Sequence, residues 1–554
     1  MDRPWLSSYE AGIPHDIDPN QYRSLISILD ESVKRFPTNP AFSNFGTSLN
    51  YLELDKASRK IAAYLQSLDG LEKGDRVAIM LPNILQYPVV LFGVLRAGFC
   101  VVNVDPMYTA RELTFQLCDS GVKALVFLEN FADTVEKVLP NTDVRHMVST
   151  QVGDMLGFPK SLLINSVIKH VKKMIPNHHL NGLIQFNDAL KKGEKLTLRP
   201  LEISHEDIAF LQYTGGTTGV SKGAILTHRN VLSNVLQSRA WAKERLAAEN
   251  EKVINALPLY HIFSLTANCL FFMSIGGENV LITNPRDFKD FIKKIKNEQF
   301  SAITGVNTLF RKLLDTKGFD DIDFSKLKVT FTAGMAATQD VAAEWKQRTN
   351  STIIEAYGLS ETSPAACINP MNLSEFSGNV GLPISSTWIR IADENGADIG
   401  FNKAGEVCVK GPQVTQGYWQ LPHLNKSSFT SDGYFKTGDI AKMDERGFVT
   451  LLDRKKDIIL VSGFNVYPNE IEGVVSNHPN IVEVAAIGIP DKITGETVKL
   501  FAVKNVESLT QEQLIEYCRE YLTGYKRPTI VEFVDELPKS NVGKIIRKKL
   551  RNIV

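Results

Sequence analysis

A short stretch rich in glycine, hydroxyl groups and positive charge lies at residues 213–223, with the sequence YTGGTTGVSKG. Glycine lets backbone N–H groups approach phosphate oxygens closely, threonine hydroxyls add donors, and Lys222 supplies a point charge. The common P-loop differs, because its lysine directly precedes Ser or Thr, whereas Lys222 precedes Gly223. A flexible surface loop is the alternative, but it does not account for the whole pattern. We predict a polyphosphate site that comprises Tyr213, Thr214, Gly215, Gly216, Thr217, Thr218, Gly219 and Lys222.

Residues farther along the chain could add metal and nucleotide contacts. Glu361 lies in the hexapeptide YGLSET, and a carboxylate near a triphosphate is a natural Mg²⁺ ligand. Asp439 and Arg454 add a carboxylate and a guanidinium that could grip ribose hydroxyls and phosphate. Lys544 follows a turn-forming stretch near the C-terminus. Glu361 and Lys544 each have an ordinary alternative interpretation: a structural turn for Glu361 and a solvated basic tail for Lys544.

The segments that must position these residues change character along the chain. Buried strand-like runs alternate with helix-like runs through the first half, which predicts parallel α/β layers. Short β-like pieces separated by turn residues begin near residue 378 and are typical of a small antiparallel barrel. Two strands, a capped helix and a further strand follow the charged run at 453–457, which predicts a separate α+β domain. The predicted fold is therefore α/β with α+β: an N-terminal domain 1–453 with a β-barrel at about 378–453, a hinge 454–457 and a C-terminal domain 458–554.

Composition narrows the class of protein. At 554 residues the chain exceeds the length at which a single core stops growing, so at least two domains are expected. Sixty-two basic residues balance sixty-two acidic ones, which argues against a nucleic-acid partner. The six cysteines form no C-x-x-C pair, so buried thiols in a reducing compartment are expected rather than disulfides or a zinc site. No apolar run approaches the ~20 residues that span a bilayer, and we expect a cytoplasmic protein.

One segment has a different pattern. In residues 160–174, KSLLINSVIKHVKKM, apolar residues recur at near-helical spacing among lysines. Such a helix could lie on an anionic membrane surface. The alternative is an ordinary surface helix with a basic outer face.

The order and spacing of all these motifs resemble the adenylate-forming acyl-CoA synthetases, and within them the bacterial long-chain fatty acid–CoA ligases. The segments that carry the resemblance are LQYTGGTTGVSKGA, ALPLYHIFSLT, LITNPRD, FSAITGVNTLF, DRKKDIILVSGFNVYPNEIE, LTGYK and ELPKSNVGKIIR. It extends over nearly everything from Trp5 to Arg551. The resemblance implies a two-step reaction, in which a fatty carboxylate attacks the α-phosphate of ATP to give acyl-AMP and pyrophosphate, and the CoA thiol then displaces AMP.

The resemblance also implies ligands and partners. Mg²⁺ is the implied cofactor, and ATP and CoA are cosubstrates beside the fatty acid. Peripheral contact with the inner membrane and homodimerisation are further expectations. Two alternatives stay open: a relative that passes the acyl group to a carrier-protein thiol, and a membrane-associated nucleotide-binding scaffold without turnover, against which the presence of Lys544 argues.

The resemblance assigns residue roles in this chain. Lys544 would bridge the carboxylate and the α-phosphate, Glu361 would bind Mg²⁺, and Tyr357 would stack on adenine. His261 would position the carboxylate or close the acyl tunnel. The C-terminal domain would swing about Lys456. The remaining implied contacts are Gly334, Gly358, Ser360, Asp439 and Arg454 for the nucleotide, Thr214 beside the reacting phosphates, and Ser462, Gly463 and Phe464 on the CoA path.

Two positions depart from the family pattern. The loop that contacts adenine is usually richer in glycine, and here it contains Ala333 before Gly334. Ser360 stands where Thr is more usual. The methyl group of Ala333 could narrow the acyl or adenine pocket, so these departures bear on chain-length preference more than on the reaction.

Overall fold

The computed structural model of the chain describes residues 3–214, 221–246, 250–335, 337–540 and 543–553. In these ranges the strands are β1 (Pro40–Asn44), β2 (Thr47–Asn50), β3 (Arg76–Met80), β4 (Cys100–Asn103), β5 (Val122–Leu128), β6 (His146–Thr150), β7 (Leu183–Gln185), β8 (Ile208–Thr214), β9 (Lys222–Thr227), β10 (Lys252–Asn255), β11 (Glu278–Leu281), β12 (Ala302–Gly305), β13 (Val329–Ala333), β14 (Ile353–Gly358), β15 (Ala365–Ile368), β16 (Leu382–Pro383), β17 (Trp388–Ala392), β18 (Gly405–Lys410), β19 (Phe435–Met443), β20 (Val449–Arg454), β21 (Ile459–Val461), β22 (Phe464–Val466), β23 (Ile481–Asp491), β24 (Gly495–Lys504) and β25 (Ile530–Phe533).

The helices of the same ranges are α1 (Leu25–Arg35), α2 (Tyr51–Gln66), α3 (Gln86–Arg96), α4 (Ala110–Ser120), α5 (Ala132–Val138), α6 (Lys160–Ser166), α7 (Phe186–Glu194), α8 (His228–Ala242), α9 (Ile262–Ser264), α10 (Phe271–Ser274), α11 (Phe288–Ile295), α12 (Asn307–Leu314), α13 (Gln339–Thr349), α14 (Pro422–Ser428), α15 (Pro468–Ser476), α16 (Gln511–Tyr521) and α17 (Arg547–Arg551). Two π-helical turns, Val167–Val171 and Leu265–Leu270, continue α6 and join α9 to α10.

Two large, mostly parallel sheets form the first two thirds of the chain. One has the order β7-β6-β5-β3-β4-β8-β9, in which β9 alone is antiparallel to its neighbour. The other has the order β16-β15-β14-β13-β12-β10-β11-β1-β2, with antiparallel strands at its two ends. Strands such as β4 are buried along their whole length, as expected for parallel strands covered on both faces. The predicted parallel α/β layers are confirmed.

A third sheet lies where the sequence predicts a small barrel. Strands β17-β18-β19-β20 form an antiparallel sheet in chain order, and among the described strands its two outer members do not pair with each other. The antiparallel arrangement is as predicted, whereas the paired part is an open four-stranded sheet. It packs against the second large sheet through a shared core.

The residues after Arg454 form their own sheet and core. The sheet has the order β22-β21-β24-β23, with β25 parallel to β24. Helix α16 begins with the predicted capping box, since the Thr510 side chain accepts from the N–H of Gln513 and Gln513 returns the bond. Helices α15 and α16 cover one face of the sheet, and their apolar residues belong to a core that contains only residues from 459 onward. The predicted α+β character is confirmed, and the boundaries 453, 454–457 and 458 stay a prediction.

Candidate active site

The flanks of the glycine-rich stretch form an antiparallel hairpin. Strand β8 ends at Thr214 and β9 begins at Lys222, and these two residues are direct partners in the register. The Ser221 hydroxyl donates to the Thr214 carbonyl at 2.7 Å, which closes the base of the hairpin. The hairpin therefore presents Thr214 and Lys222 side by side. The predicted phosphate ligands Gly215, Gly216, Thr217, Thr218 and Gly219 lie outside the described residues.

The side chain of Tyr213 supports this hairpin. Its hydroxyl donates to the Asp119 carboxylate, and its ring covers Gly223, where an added Cβ would lie 3.1 Å from the ring. Burial, followed by the contact with Asp119, raises the pKa of Tyr213. Since the hydroxyl is already bonded, a phosphate contact at this position would come from the backbone.

Asp439, Arg454 and Tyr357 form a cluster in which Asp439 and Tyr357 are buried and Arg454 is half-buried. Asp439 and Arg454 are direct partners on β19 and β20, and Arg454 Nε lies 2.6 Å from Asp439 Oδ1. The Tyr357 hydroxyl donates to Asp439 Oδ2 at 2.7 Å. Burial raises the pKa of Asp439, and the positive charge of Arg454 opposes that rise. The cluster joins an aromatic ring at the end of β14 to a guanidinium and a carboxylate, which are groups that suit a nucleoside.

Glu361 is buried next to this cluster. The Tyr418 hydroxyl donates to Glu361 Oε1 at 2.7 Å, and the Lys222 ammonium lies 5.5 Å from the centre of the Tyr418 ring. Strand β9 is tied to the Tyr418 segment, because the N–H of Trp419 donates to the Gly223 carbonyl at 2.8 Å. Glu361 therefore lies on the same side of the fold as Lys222.

One carboxylate at this place fits the donor set of Mg²⁺, which prefers one or two carboxylates together with substrate phosphates and water. Among the described residues, no cluster of three His, Cys, Asp or Glu side chains could hold a metal by itself. The arrangement therefore suits a metal that arrives with a nucleotide.

The backbone at the ends of β13 and β14 requires glycine. Gly334, just after β13, has φ +80°, a left-handed conformation that favours glycine. Gly358 ends β14, and a Cβ there would lie 1.8 Å from the Pro364 carbonyl oxygen. Ser360 begins the short 3-10 helix Ser360–Thr362 that carries Glu361. Because β13 and β14 are parallel neighbours, their carboxyl ends bring all these residues to one edge of the sheet.

Lys544 and His261 are neighbours at this edge. Lys544 keeps an exposed surface, while Asp439, Arg454 and Lys456 lie close enough to act on the charge of its ammonium. Burial among these groups, reinforced by the charge of Arg454, lowers the pKa of Lys544 to about 8. Burial, with a contribution from Lys544, lowers the pKa of His261 to about 4, so His261 is neutral at pH 7. Its Nδ1 accepts from the N–H of Phe263 at 3.4 Å, which leaves the proton on Nε2.

The comparisons with known proteins agree with this geometry. A family model described as AMP-binding enzyme matches residues 29–419, and one described as AMP-binding enzyme C-terminal domain matches residues 470–544. The chain belongs to the AMP-binding enzymes. A long-chain-fatty-acid–CoA ligase from Yersinia pestis is 51% identical over 552 residues, which span 100% of this chain and 98% of that protein. The sequence-based assignment to the adenylate-forming acyl-CoA synthetases is confirmed.

Solved structures of MatB from Rhodopseudomonas palustris are also similar to this AMP-binding enzyme. The ATP-bound form has 26% identity and a TM-score of 0.82, and the match covers 95% of this chain and 98% of that chain. The apo form has 27% identity and a TM-score of 0.73 over 96% and 98%. The fold class predicted from the sequence is therefore confirmed.

The predicted hinge residue of this AMP-binding enzyme, Lys456, follows Arg454 of the nucleotide cluster by two positions, and the predicted CoA-path residues come next along the chain. Lys456 is exposed just after β20, and burial of its ammonium among protein groups lowers its pKa. Ser462 and Gly463 form the turn between β21 and β22, with φ +52° and +82°. Phe464 is 55% exposed and stacks on Tyr525, with ring centres 4.6 Å apart. Among the described residues, no hydrogen bond or ion pair joins this turn to Asp439.

Two residues of the site are not among the sequence predictions. Tyr418 binds Glu361, which lies 57 positions earlier, so no local pattern points to it. Glu355 is buried on β14; its Oε1 accepts from the N–H of Ala337 at 3.1 Å, while its Oε2 has no partner among the described residues. Burial raises the pKa of Glu355 to about 7. An acidic residue directly after two isoleucines in a strand is a signal that could have identified Glu355.

Proposed function

We propose that this chain converts long-chain fatty acids to acyl-CoA in two steps with ATP and CoA. In the first step a carboxylate oxygen attacks the α-phosphorus of ATP, the bond to the bridging α–β oxygen breaks, and pyrophosphate leaves. In the second step the CoA sulfur attacks the acyl carbon and AMP leaves. The observation that carries this proposal is the bonded cluster of Tyr357, Asp439 and Arg454 at the carboxyl edge of the second sheet, with Lys544 close enough to act on its charges. The full-length similarity to long-chain-fatty-acid–CoA ligases supports the substrate class.

The side chains of the site have separate tasks in the first step. Asp439 accepts from ribose hydroxyls, and Arg454 holds Asp439 in place. Lys544 donates to the carboxylate and α-phosphate oxygens, where negative charge concentrates in the transition state. Neutral His261 donates from Nε2 to the incoming carboxylate. Thr214 and Lys222 hold the phosphates that leave.

Glu361 would hold Mg²⁺ together with phosphate oxygens, and the metal would neutralise charge on the leaving pyrophosphate. The Tyr418 hydroxyl orients Glu361 by its bond to Oε1, and this leaves Oε2 for the metal. Nucleotide and metal would therefore bind together.

The second step requires a different arrangement of the C-terminal part. The residues after the hinge would turn about Lys456, withdraw Lys544 and bring the Ser462–Phe464 turn beside the pantetheine path. Gly463 suits this task because an added Cβ at its position would point into open space, where a thiol could pass.

The decisive experiment measures pyrophosphate release with CoA across saturated fatty acids of eight to eighteen carbons, with acetate and an aryl acid as controls. We expect release that rises with chain length and depends on the fatty acid. A phosphopantetheinylated carrier protein replaces CoA in a parallel assay. Activity on acetate alone, or thioester formation only on the carrier protein, would contradict the proposal.

We further propose peripheral contact with the inner membrane through α6 and the π-helical turn after it. In this segment and directly beside it, six large apolar side chains are 42–89% exposed: Phe158, Leu162, Leu163, Val167, Val171 and Met174. The exposed Lys169, Lys172 and Lys173 lie beside them. Ile164 and Ile168 pack on the core and hold the segment in place. Exposed apolar groups beside lysines fit an anionic lipid surface, where the fatty acid also partitions.

Vesicle co-sedimentation tests this surface. Changing Lys169, Lys172 and Lys173 to Glu should abolish binding to vesicles with phosphatidylglycerol. The matched control changes three exposed lysines near α7, Lys191, Lys192 and Lys195, to Glu and should leave binding unchanged. Equal binding by the two triple variants would remove the proposal.

Two further points concern membrane-spanning helices and the oligomeric state. Among the described residues, no helix is long and apolar enough to cross a membrane. Homodimerisation stays a prediction, which sedimentation velocity of the purified chain would decide.

A further inference from the structure

A buried carboxylate next to Arg454 connects the third sheet to the C-terminal part. Asp453 is 4% exposed on β20, and since successive side chains of a strand point to opposite faces, it faces away from the Asp439 cluster. Its Oδ2 accepts from the backbone N–H of Asn469 at 2.7 Å, and its Oδ1 accepts from the N–H of Arg454 at 2.8 Å. Burial raises the pKa of Asp453 to about 6, so the group is ionised at pH 7.5.

This contact provides a hydrogen-bond acceptor for a backbone N–H at the beginning of helix α15. Asn469 is the second residue of α15, and an N–H in the first turn of a helix has no acceptor within the helix. The N-cap residue, Tyr467, makes no side-chain cap bond. Asp453 supplies that acceptor from β20, and its negative charge also suits the positive end of the helix. The side-chain amide of Asn469 donates to the Leu452 carbonyl at 3.0 Å, which is a second bond between α15 and β20.

The same helix holds the segment that carries Lys544. Glu472 on α15 accepts two bonds from Arg547 Nη2, at 2.8 and 2.7 Å, and Arg547 lies three residues after Lys544. Arg547 Nη2 also donates to Asn469 Oδ1 at 3.0 Å. A continuous series of contacts therefore runs from Asp453 through α15 to the segment of Lys544.

We propose that Asp453 is a positioning residue for acyl-AMP formation, which fixes α15 and thereby holds Lys544 at the nucleotide cluster. The inference rests on the proposed two-step function. When the C-terminal part turns for the second step, the bond between Asp453 and the N-terminus of α15 breaks. Asp453 thus favours one of the two arrangements and does not touch substrate.

The test measures the two half-reactions separately in the full-length protein. Asp453→Ala should lower the rate of acyl-AMP formation about tenfold, the scale of one lost hydrogen bond to a charged group. Conversion of supplied acyl-AMP to acyl-CoA should be unchanged or faster, because the arrangement for the second step loses nothing. Asp453→Asn keeps an oxygen acceptor and should lower acyl-AMP formation only about threefold. Thermal unfolding and near-UV circular dichroism establish whether each variant is folded. If Asp453→Ala does not fold, the test uses Asp453→Asn alone.

A matched control lies on the same hairpin. The Asp444 carboxylate accepts from the N–H groups of Arg446 and Phe448 at 3.0 and 2.8 Å, and it has no hydrogen bond or ion pair with any described residue after the hinge. Asp444→Asn should leave both half-reactions unchanged. Equal losses in both half-reactions of the Asp453 variants, or full acyl-AMP formation by Asp453→Ala, would overturn the inference. A wild-type protein that releases no pyrophosphate would instead overturn the proposed function.

Discussion

The charge state of each titratable side chain in this site depends on its burial and on the charges next to it. Desolvation by the surrounding protein lowers the pKa of Lys544, the guanidinium of Arg454 lowers it further, and the carboxylate of Asp439 opposes both effects. A bound triphosphate would supply the missing negative charge. The site therefore suits an anionic ligand, and the ammonium lies where it can stabilise developing negative charge.

Replacement of Lys544 by Ala tests its assignment to the first step. Acyl-AMP formation should fall by about a hundredfold or more, the scale of losing one preorganised charged donor. Conversion of preformed acyl-AMP to acyl-CoA should continue, because the lysine is withdrawn in that step. Rapid-quench assays of each half-reaction measure both rates, and parallel losses would exclude the proposed division of labour.

The pKa of Lys544 predicts a pH dependence of the first step. A lysine with a lowered pKa is charged below that value and neutral above it, so the active ammonium is lost as pH rises through about 8. The kcat/KM for ATP in pyrophosphate release should therefore decrease about tenfold per pH unit well above 8. Lys544→Arg keeps its charge in this range, and its profile should be flat at a lower rate. A decreasing limb that persists in the arginine variant would assign the titration to another group.

At the scale of elements, parallel strands bring distant segments to one edge. Strands β13 and β14 are neighbours, so the glycines that follow or end them lie beside each other. Gly358 is packed against Pro364, which lies before the strand that pairs antiparallel with β14. This close approach sets the position of the turn that carries Glu361.

The packing of Gly358 predicts a loss of stability on substitution. In Gly358→Ala the added Cβ would meet the Pro364 carbonyl oxygen at 1.8 Å, and relief of this overlap should cost about 3 kcal/mol. Gly473, inside α15, is the control: it has open space around its added Cβ, so Gly473→Ala should stabilise α15 by about 0.5–1 kcal/mol. Thermal unfolding followed by tryptophan fluorescence should give a lower midpoint for the first variant only. Similar midpoints for both would show that the backbone relaxes freely at Gly358.

At the scale of the whole molecule, the C-terminal part lies against the beginning of α12 at Gly543. A Cβ built at Gly543 would lie 4.0 Å from the Thr308 Cβ, on α12. This separation falls within the range that a disulfide bridges, and because Gly543 has φ +80°, a cysteine there takes a strained backbone conformation, so the reduced double variant is the reference for activity. A covalent bond at this place would hold Lys544 at the site.

A double variant, Thr308→Cys with Gly543→Cys, should therefore fix the first arrangement when oxidised. Acyl-AMP formation should persist through one turnover, and acyl-CoA formation should stop until dithiothreitol is added, because the C-terminal part cannot turn. The exposed Cys118 is replaced by Ser to prevent mispairing, and Thr308→Cys alone is the control. Unimpeded acyl-CoA formation by the oxidised protein would contradict the domain rotation.

Local sequence patterns determined much of the fold. Apolar runs predicted the buried strands, and the Thr510 capping box predicted the start of α16. These features depend on neighbouring residues, whose spacing directly fixes backbone conformation and burial. The roles of Lys544 and Glu361 came from the order of whole motifs and not from local physics.

Only the tertiary structure decided which side chains meet. Hydrogen bonds join Tyr418 to Glu361, Tyr213 to Asp119 and Asp453 to the N-terminus of α15. The residues of each pair are separated in the sequence, and no helix or strand period relates their positions. The pKa values of Lys544 and Glu355 are likewise set by burial, which is a property of the packed chain. The sequence by itself determined the local elements and the family chemistry, while packing of distant strands and helices determined the contacts that position and tune them.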